Sequence, residues 1–243
     1  MAGAGSVGSS AGNGSSPALY RDLLIVLCDH TKKSYLLALD KNSGEERWQA
    51  DRGAGRVAHS TPFVVPGPKG DELIINSSVR IDAYNPLTGE LLWYAGSQRQ
   101  TPVPSPVFHN GLIYLSRGYR NSDFMAIRPG GQGDVTSSSI VWRVSSGASY
   151  VPSILFYDGL LYVTNEVGIV TCAEAETGKQ VWRQRLGGIF FASPAAGAAS
   201  ILVPGALVAP VAAWAVRHGS VPSGAQELEE LADLTRVVAD GVG

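Results

Sequence analysis

Charge is scarce in this chain: 16% of its 243 residues are Asp, Glu, Lys or Arg, and the formal net charge is −2. Binding nucleic acid needs a concentrated basic face that neutralises phosphates, and no such run occurs, so nucleic acid is excluded as a main partner. Cysteine is nearly absent. Cys28 and Cys172 lie far apart, with no CxxC and no Cys/His cluster, and are expected to be small buried side chains rather than a disulfide. His30, His59, His109 and His218 share no ligand spacing, so no metal site is expected. There is no GxSxG elbow. The run RPGGQGD, Arg128 to Asp134, lacks the Lys-Ser/Thr of a phosphate-binding loop. The opening MAGAGSVGSSAGNGSS has neither the basic nor the apolar segment of a secretory signal. Residues 1–14 therefore read as a flexible leader.

Glycine (29) and proline (14) are plentiful instead, which suits short strands joined by tight turns. A repeat organises them. A Ser or Thr beside Pro opens each unit, with the hydroxyl residue at positions 16, 61, 105, 153 and 193, at intervals of 45, 44, 48 and 40 residues. A tryptophan closes each unit. ALDKNSGEERW (Ala38 to Trp48), AYNPLTGELLW (Ala83 to Trp93) and CAEAETGKQVW (Cys172 to Trp182) place Gly44, Gly89 and Gly178 four residues before Trp48, Trp93 and Trp182. The third copy runs from Ala126 to Trp142, 16 residues where the others take 10, and so carries a six-residue insertion.

Each unit parses as four strands. In the fourth copy SILFYDGLLYVTN gives two strands around an Asp158-Gly159 hairpin turn, and GIVTCAEAETGKQVWRQRL gives two more around Glu176-Thr177-Gly178. Four strands in about 40–45 residues is the size of a propeller blade. A blade has two apolar faces and must stack on its neighbours, which places the tryptophans between blades.

The motif [A/C]-x-[D/N/E]-x-x-[S/T]-G-x-x-x-W, with its Ser-Pro openers and DGLLYV-like hairpins, resembles the PQQ-like (pyrroloquinoline-quinone) repeat over roughly residues 15 to 194. Families sharing it include the BamB-type outer-membrane assembly lipoproteins and the quinoprotein alcohol dehydrogenases. The resemblance implies an all-β fold, a partial β-propeller of four four-stranded antiparallel blades, at about 15–58, 59–102, 103–149 and 150–188, plus the start of a fifth. It implies a non-catalytic scaffold or binding module of the periplasm or cell surface, a fragment of a larger propeller. Protein partners or self-association through open blade edges are expected, and no cofactor. The alternative is part of a quinoprotein oxidoreductase holding PQQ and Ca²⁺; here there is no adjacent cysteine pair, and acidic residues such as Asp40, Glu45, Glu46, Asp82 and Glu90 sit mostly in turns. Gly44, Trp48, Gly89, Trp93, Trp142, Gly178 and Trp182 are read as structural. Arg128, Gly130, Gly131 and Asp134, in the insertion, are the candidate binding loop.

After Ser193-Pro194 the strand pattern is expected to stop. Ile189 to Val216 carries no Asp, Glu, Lys or Arg, which reads as an aberrant or frame-shifted end, with an apolar packing segment and a membrane anchor as the other readings. Pro204 and Pro210 argue against a span. Leu228, Leu231, Leu234 and Val237 suggest an amphipathic helix over Ala225 to Asp240, with Ser223 as its N-cap.

Overall fold

The computed structural model describes residues 14–97, 101–118, 122–186, 188–197, 200–203 and 206–208. The chain divides into two compact units between Pro194 and Ala195. Every element among the described residues is a strand or a turn.

The first unit is four antiparallel meanders. The first sheet is β1 (Ala18–Tyr20), β2 (Leu23–Cys28), β3 (Ser34–Asp40) and β4 (Glu46–Gly53). The second is β5 (Phe63–Gly67), β6 (Gly70–Asn76), β7 (Ile81–Tyr84) and β8 (Leu91–Ala95). β9 (Val107–His109), β10 (Leu112–Ser116), β11 (Phe124–Ile127) and β13 (Ile140–Val144) make the third. β14 (Leu155–Tyr157), β15 (Leu160–Thr164), β16 (Ile169–Glu174) and β17 (Gln180–Arg185) make the fourth. The short β12 (Gly133–Asp134), from the insertion, pairs in parallel with Trp93 and Tyr94 and adds a fifth strand to the second sheet.

The motif has a physical meaning at each position. Its small first residue lies opposite the tryptophan in every sheet: Ala38 on Trp48, Ala83 on Trp93, Ala126 on Trp142 and Cys172 on Trp182. A bulge follows that pair each time, which tightens the local twist. Asn110-Gly111 and Asp158-Gly159 both take positive φ, as the tightest two-residue hairpin turns require. The opening hydroxyls link the sheets in series. The backbone N–H of Thr61 donates to Ser105 Oγ (3.4 Å), that of Ser105 to Ser153 Oγ (3.1 Å) and that of Ser153 to Ser193 Oγ (2.9 Å).

Three apolar layers fill the joints. Leu23, Ile25, Leu27, Leu36 and Ala38 meet Leu73, Ile75 and Tyr84 between the first two sheets. Ile74, Ile81 and Ala83 meet Ile113, Leu115, Met125 and Ile127 at the second joint. Tyr114, Phe124 and Ala126 meet Leu161, Val163 and Ala173 at the third. Cys28 and Cys172 are both free thiols.

The second unit corrects one expectation. The strand pattern does not stop at Pro194: β18 (Ala195–Gly197), β19 (Ser200–Val203) and β20 (Ala206–Val208) form an antiparallel three-stranded sheet. Ile201, Leu202 and Val203 are good strand formers; the hairpin was hidden because Ala198-Ala199 stands where the fourth unit has Asp158-Gly159. Among the described residues no helix is long and apolar enough to cross a membrane. The helix expected over 225–240 and the end of the apolar run lie outside the described residues.

Candidate functional site

Two ends of the sheets carry different chemistry. At the end bearing the Ser/Thr-Gly turns, the tryptophans organise the joints. Trp48 Nε1 donates to Pro86 O (3.2 Å) and Trp142 Nε1 to Ala175 O (2.9 Å), each reaching into the turn of the following sheet. Gly89 and Gly178 lie under those rings, and a Cβ there would come within 2.6 Å of Trp48 Cε3 and 2.5 Å of Trp142 Cε3. Tyr114 and Phe124 flank Trp142, the latter edge-on at 5.8 Å. Trp182, half-buried, lies 6.1 Å from Tyr162.

Trp93 departs from this scheme because the insertion intervenes. It is fully buried, and its Nε1 donates to Glu72 Oε2 (2.7 Å), which also accepts the Gly130 N–H (3.2 Å). Burial pushes the Glu72 carboxyl up, and these two hydrogen bonds hold it back in part. Gly130 packs against Pro68 and Gly131 against Val135. Asp134 accepts from the hydroxyl and N–H of Thr136, which lower its carboxyl, while β12 pairs with β8. Gly130 is thus buried at the joint between the second and third sheets, while Arg128, Gly131 and Asp134 are exposed. A groove of about 230 Å³ opens nearby, lined by Tyr20, Arg21, Lys69, Asp71, Asn85 and Leu87 among others.

The other end, where β4 leaves the first sheet and the β2–β3 and β6–β7 connections meet, holds a buried ionic cluster. Arg52 grips Asp29 with both arms (Nε to Oδ1 2.8 Å, Nη2 to Oδ2 3.2 Å) and donates from Nη1 to Tyr84 Oη (2.8 Å) and Asp82 Oδ2 (3.1 Å). Arg56 adds a bond to Asp82 Oδ2 (2.7 Å) and another to the Arg52 carbonyl, and Arg80 reaches Asp82 Oδ1 (2.6 Å). The side chains of Arg52, Asp29 and Asp82 are wholly buried. Burial opposes the Arg52 charge, but the bonds and charge of Asp29 outweigh it and hold the guanidinium charged. Arg80 also stacks on Tyr94 at 3.7 Å. Next along, Arg117 bonds Asn76 Oδ1 (2.6 Å), Ser77 O (2.9 Å) and Ser97 O (3.0 Å), tying the second sheet to the third.

Sequence reasoning passed over this cluster. Its signal was the linker DRGAGR, Asp51 to Arg56, two arginines four apart in a chain poor in charge. Among the described residues no three His, Cys, Asp or Glu side chains converge as a metal site would need. Asp29 and Asp82 are engaged by arginines, so these two carboxylates do not fit a Ca²⁺-bound quinone.

The model of the family described as outer membrane protein assembly factor BamB matches residues 6–139 and 132–213. The chain belongs to this family of PQQ-like propeller-repeat proteins. The match runs past Pro194, through the three-stranded sheet. In structure the family member is similar to BamB from Moraxella catarrhalis, with a TM-score of 0.56 at 13% identity over 79% of this chain and 54% of that one. It is also similar to the quinohemoprotein alcohol dehydrogenase of Comamonas testosteroni, with a TM-score of 0.54 at 11% identity over 76% and 42%. At these identities the likeness shows the propeller fold alone. A curated relative, the tetrathionate hydrolase of Acidianus ambivalens, is 26% identical over 118 residues, 42% of this chain and 22% of that protein. The chain spans about a fifth of that relative and about half of the BamB chain.

Proposed function

We propose that this PQQ-like repeat chain is a non-catalytic scaffold or binding module of the cell envelope, acting as part of a larger propeller. The observation that carries the reading is the commitment of the buried acidic groups: Asp29 and Asp82 are engaged by Arg52, Arg56 and Arg80. A carboxylate bound by arginine is a poor base and a poor cation ligand until that partner is displaced, at a cost of several kcal/mol. The ionic cluster serves the joint between two sheets instead, leaving turns and linkers as the surface for a protein partner. Membership of the BamB family supports the envelope location in this reading.

The competing reading is part of a PQQ-dependent quinoprotein oxidoreductase, since quinohemoprotein dehydrogenases share the propeller fold. Purified protein supplied with PQQ, Ca²⁺ and a dye electron acceptor separates the two. No dye reduction above background with alcohols or sugars is expected; turnover that depends on PQQ would overturn the scaffold reading.

A further inference from the structure

One hairpin turn is built against its own backbone preference. The first turn of the first sheet is Arg21-Asp22, between Tyr20 and Leu23, which pair as His109 pairs with Leu112 and Tyr157 with Leu160. Arg21 therefore stands where Asn110 and Asp158 stand in the third and fourth sheets, and like them it takes positive φ, +54° beside +47° and +49°. Asn and Asp enter this left-handed region far more readily than a long side chain does. An arginine held there is local strain that the hairpin does not need, and such strain gathers at ligand sites. Lys41 Nζ bonds the Arg21 carbonyl (3.1 Å) and fixes the turn.

Arg21 lines the groove of about 230 Å³ between the first two sheets, where three kinds of wall meet. Its Cζ lies 5.2 Å from the centre of the Tyr20 ring. Lys69, in the β5–β6 turn, is the second cation of the groove. Both are exposed, and among the described residues neither makes an ion pair. Asp71 and Glu72 bring carboxylates to the same space. Asp71 Oδ2 accepts the Tyr20 hydroxyl (2.8 Å), tying the two sheets together at the groove, while Glu72 gives Oε2 to Trp93 and Gly130 and leaves Oε1 without either bond. Pro86, Leu87 and Leu92 form an apolar wall, with Leu87 49% exposed.

This lining selects against simple ions. An anion drawn to Arg21 and Lys69 meets two carboxylates, and a cation drawn to Asp71 and Glu72 meets two cations that have no partners of their own. A molecule carrying both charges and an apolar tail matches all three walls. The volume is below the roughly 300–1,000 Å³ of sites for drug-sized ligands, so that molecule is small. We propose that this groove binds a zwitterionic α-amino acid with an aliphatic side chain. Its carboxylate sits on Arg21 and Lys69, its ammonium on Asp71 and Glu72 Oε1, and its side chain against Pro86, Leu87 and Leu92, with the charge-assisted bonds fixing orientation. The inference goes beyond the scaffold reading and involves no chemical step.

The test titrates the isotope-labelled full chain with L-leucine and follows amide and methyl NMR shifts. Saturable shifts are expected at Arg21, Lys69, Asp71 and Leu87. N-acetyl-L-leucine, which lacks the ammonium, and L-leucinamide, which lacks the carboxylate, should each bind at least about tenfold more weakly. Arg21→Asn installs the residue of the equivalent third-sheet turn and so keeps the hairpin. It should weaken leucine by about the same factor and leave the weak binding of leucinamide unchanged. Lys69→Ala, at an exposed turn, should act likewise, and Lys32→Ala, at an exposed turn outside the groove, should retain full binding. The proposal is overturned by an absence of saturable shifts, by shifts confined to other parts of the chain, by analogues that bind as tightly as leucine, or by an Arg21→Asn chain that binds leucine as the parent does. The titration is independent of the dye assay, so either reading can fail alone.

Discussion

Glycine and tryptophan act as a pair across the sheet joints, so the same substitution has different costs at equivalent places. Gly178→Ala drives a methyl into the Trp142 ring, whereas Gly44→Ala meets open space at nearly the same φ. Both carry left-handed strain, and only the first adds overpacking of about 1–3 kcal/mol. Urea unfolding should therefore show Gly178→Ala less stable than Gly44→Ala by about that margin; equal losses would mean the ring yields freely. Cys172 offers a second check at this scale. Burial pushes its thiol up to about 12, so it should resist alkylation at pH 8 in the native chain and react once urea is added, read by mass spectrometry.

Individual elements show how the insertion and the linker were put to use. The inserted segment is anchored on Glu72, whose carboxylate accepts from Trp93 and Gly130. Glu72→Gln keeps an acceptor and removes a buried charge, so near-native or raised stability is expected at pH 7. Glu72→Ala orphans two buried donors and should cost roughly 1–3 kcal/mol for each. The sign for pH follows from the raised carboxyl: Glu72 favours the fold below the ordinary range near ~4.3 and loses that contribution as pH rises through its higher folded value. Stability measured across pH 4 to 7 should thus fall less in Glu72→Gln than in the parent chain. In the linker cluster, Arg52→Ala leaves Asp29 buried without its partner, and a loss of about 3–5 kcal/mol is expected by chemical denaturation. A loss below about 1 kcal/mol would show that water or Arg56 replaces it.

At the scale of the whole molecule, alkaline pH is the condition to watch. Burial raises Tyr84, Tyr114, Tyr162 and Cys172 together. Unfolded thiols and phenols ionise near ~8.5 and ~10, so between those values and the higher folded ones the unfolded chain holds fewer protons. Stability should therefore fall as pH rises from about 8.5 toward 12, seen as a declining melting temperature by circular dichroism. Open blade edges add a second expectation, self-association or marginal stability when the chain is studied alone. A sharp, monomeric two-state transition would contradict it.

What could be read without coordinates was whatever is periodic and local. The Ala/Cys, Gly and Trp of each unit recur because each sheet needs a small residue under the indole and a glycine in the turn, so the all-β architecture was legible from residues alone. Two things were not local. How RPGGQGD is anchored depended on where Trp93 and Glu72 lay, and the three strands after Pro194 lacked the Asp-Gly turn that marks the fourth unit's hairpin. The buried cluster of Asp29, Arg52, Arg56, Arg80 and Asp82 joins side chains up to 53 residues apart. Only packing two sheets together decides that such charges are out of water and must satisfy one another, because the cost of burying them exists nowhere in the sequence until the joint is closed.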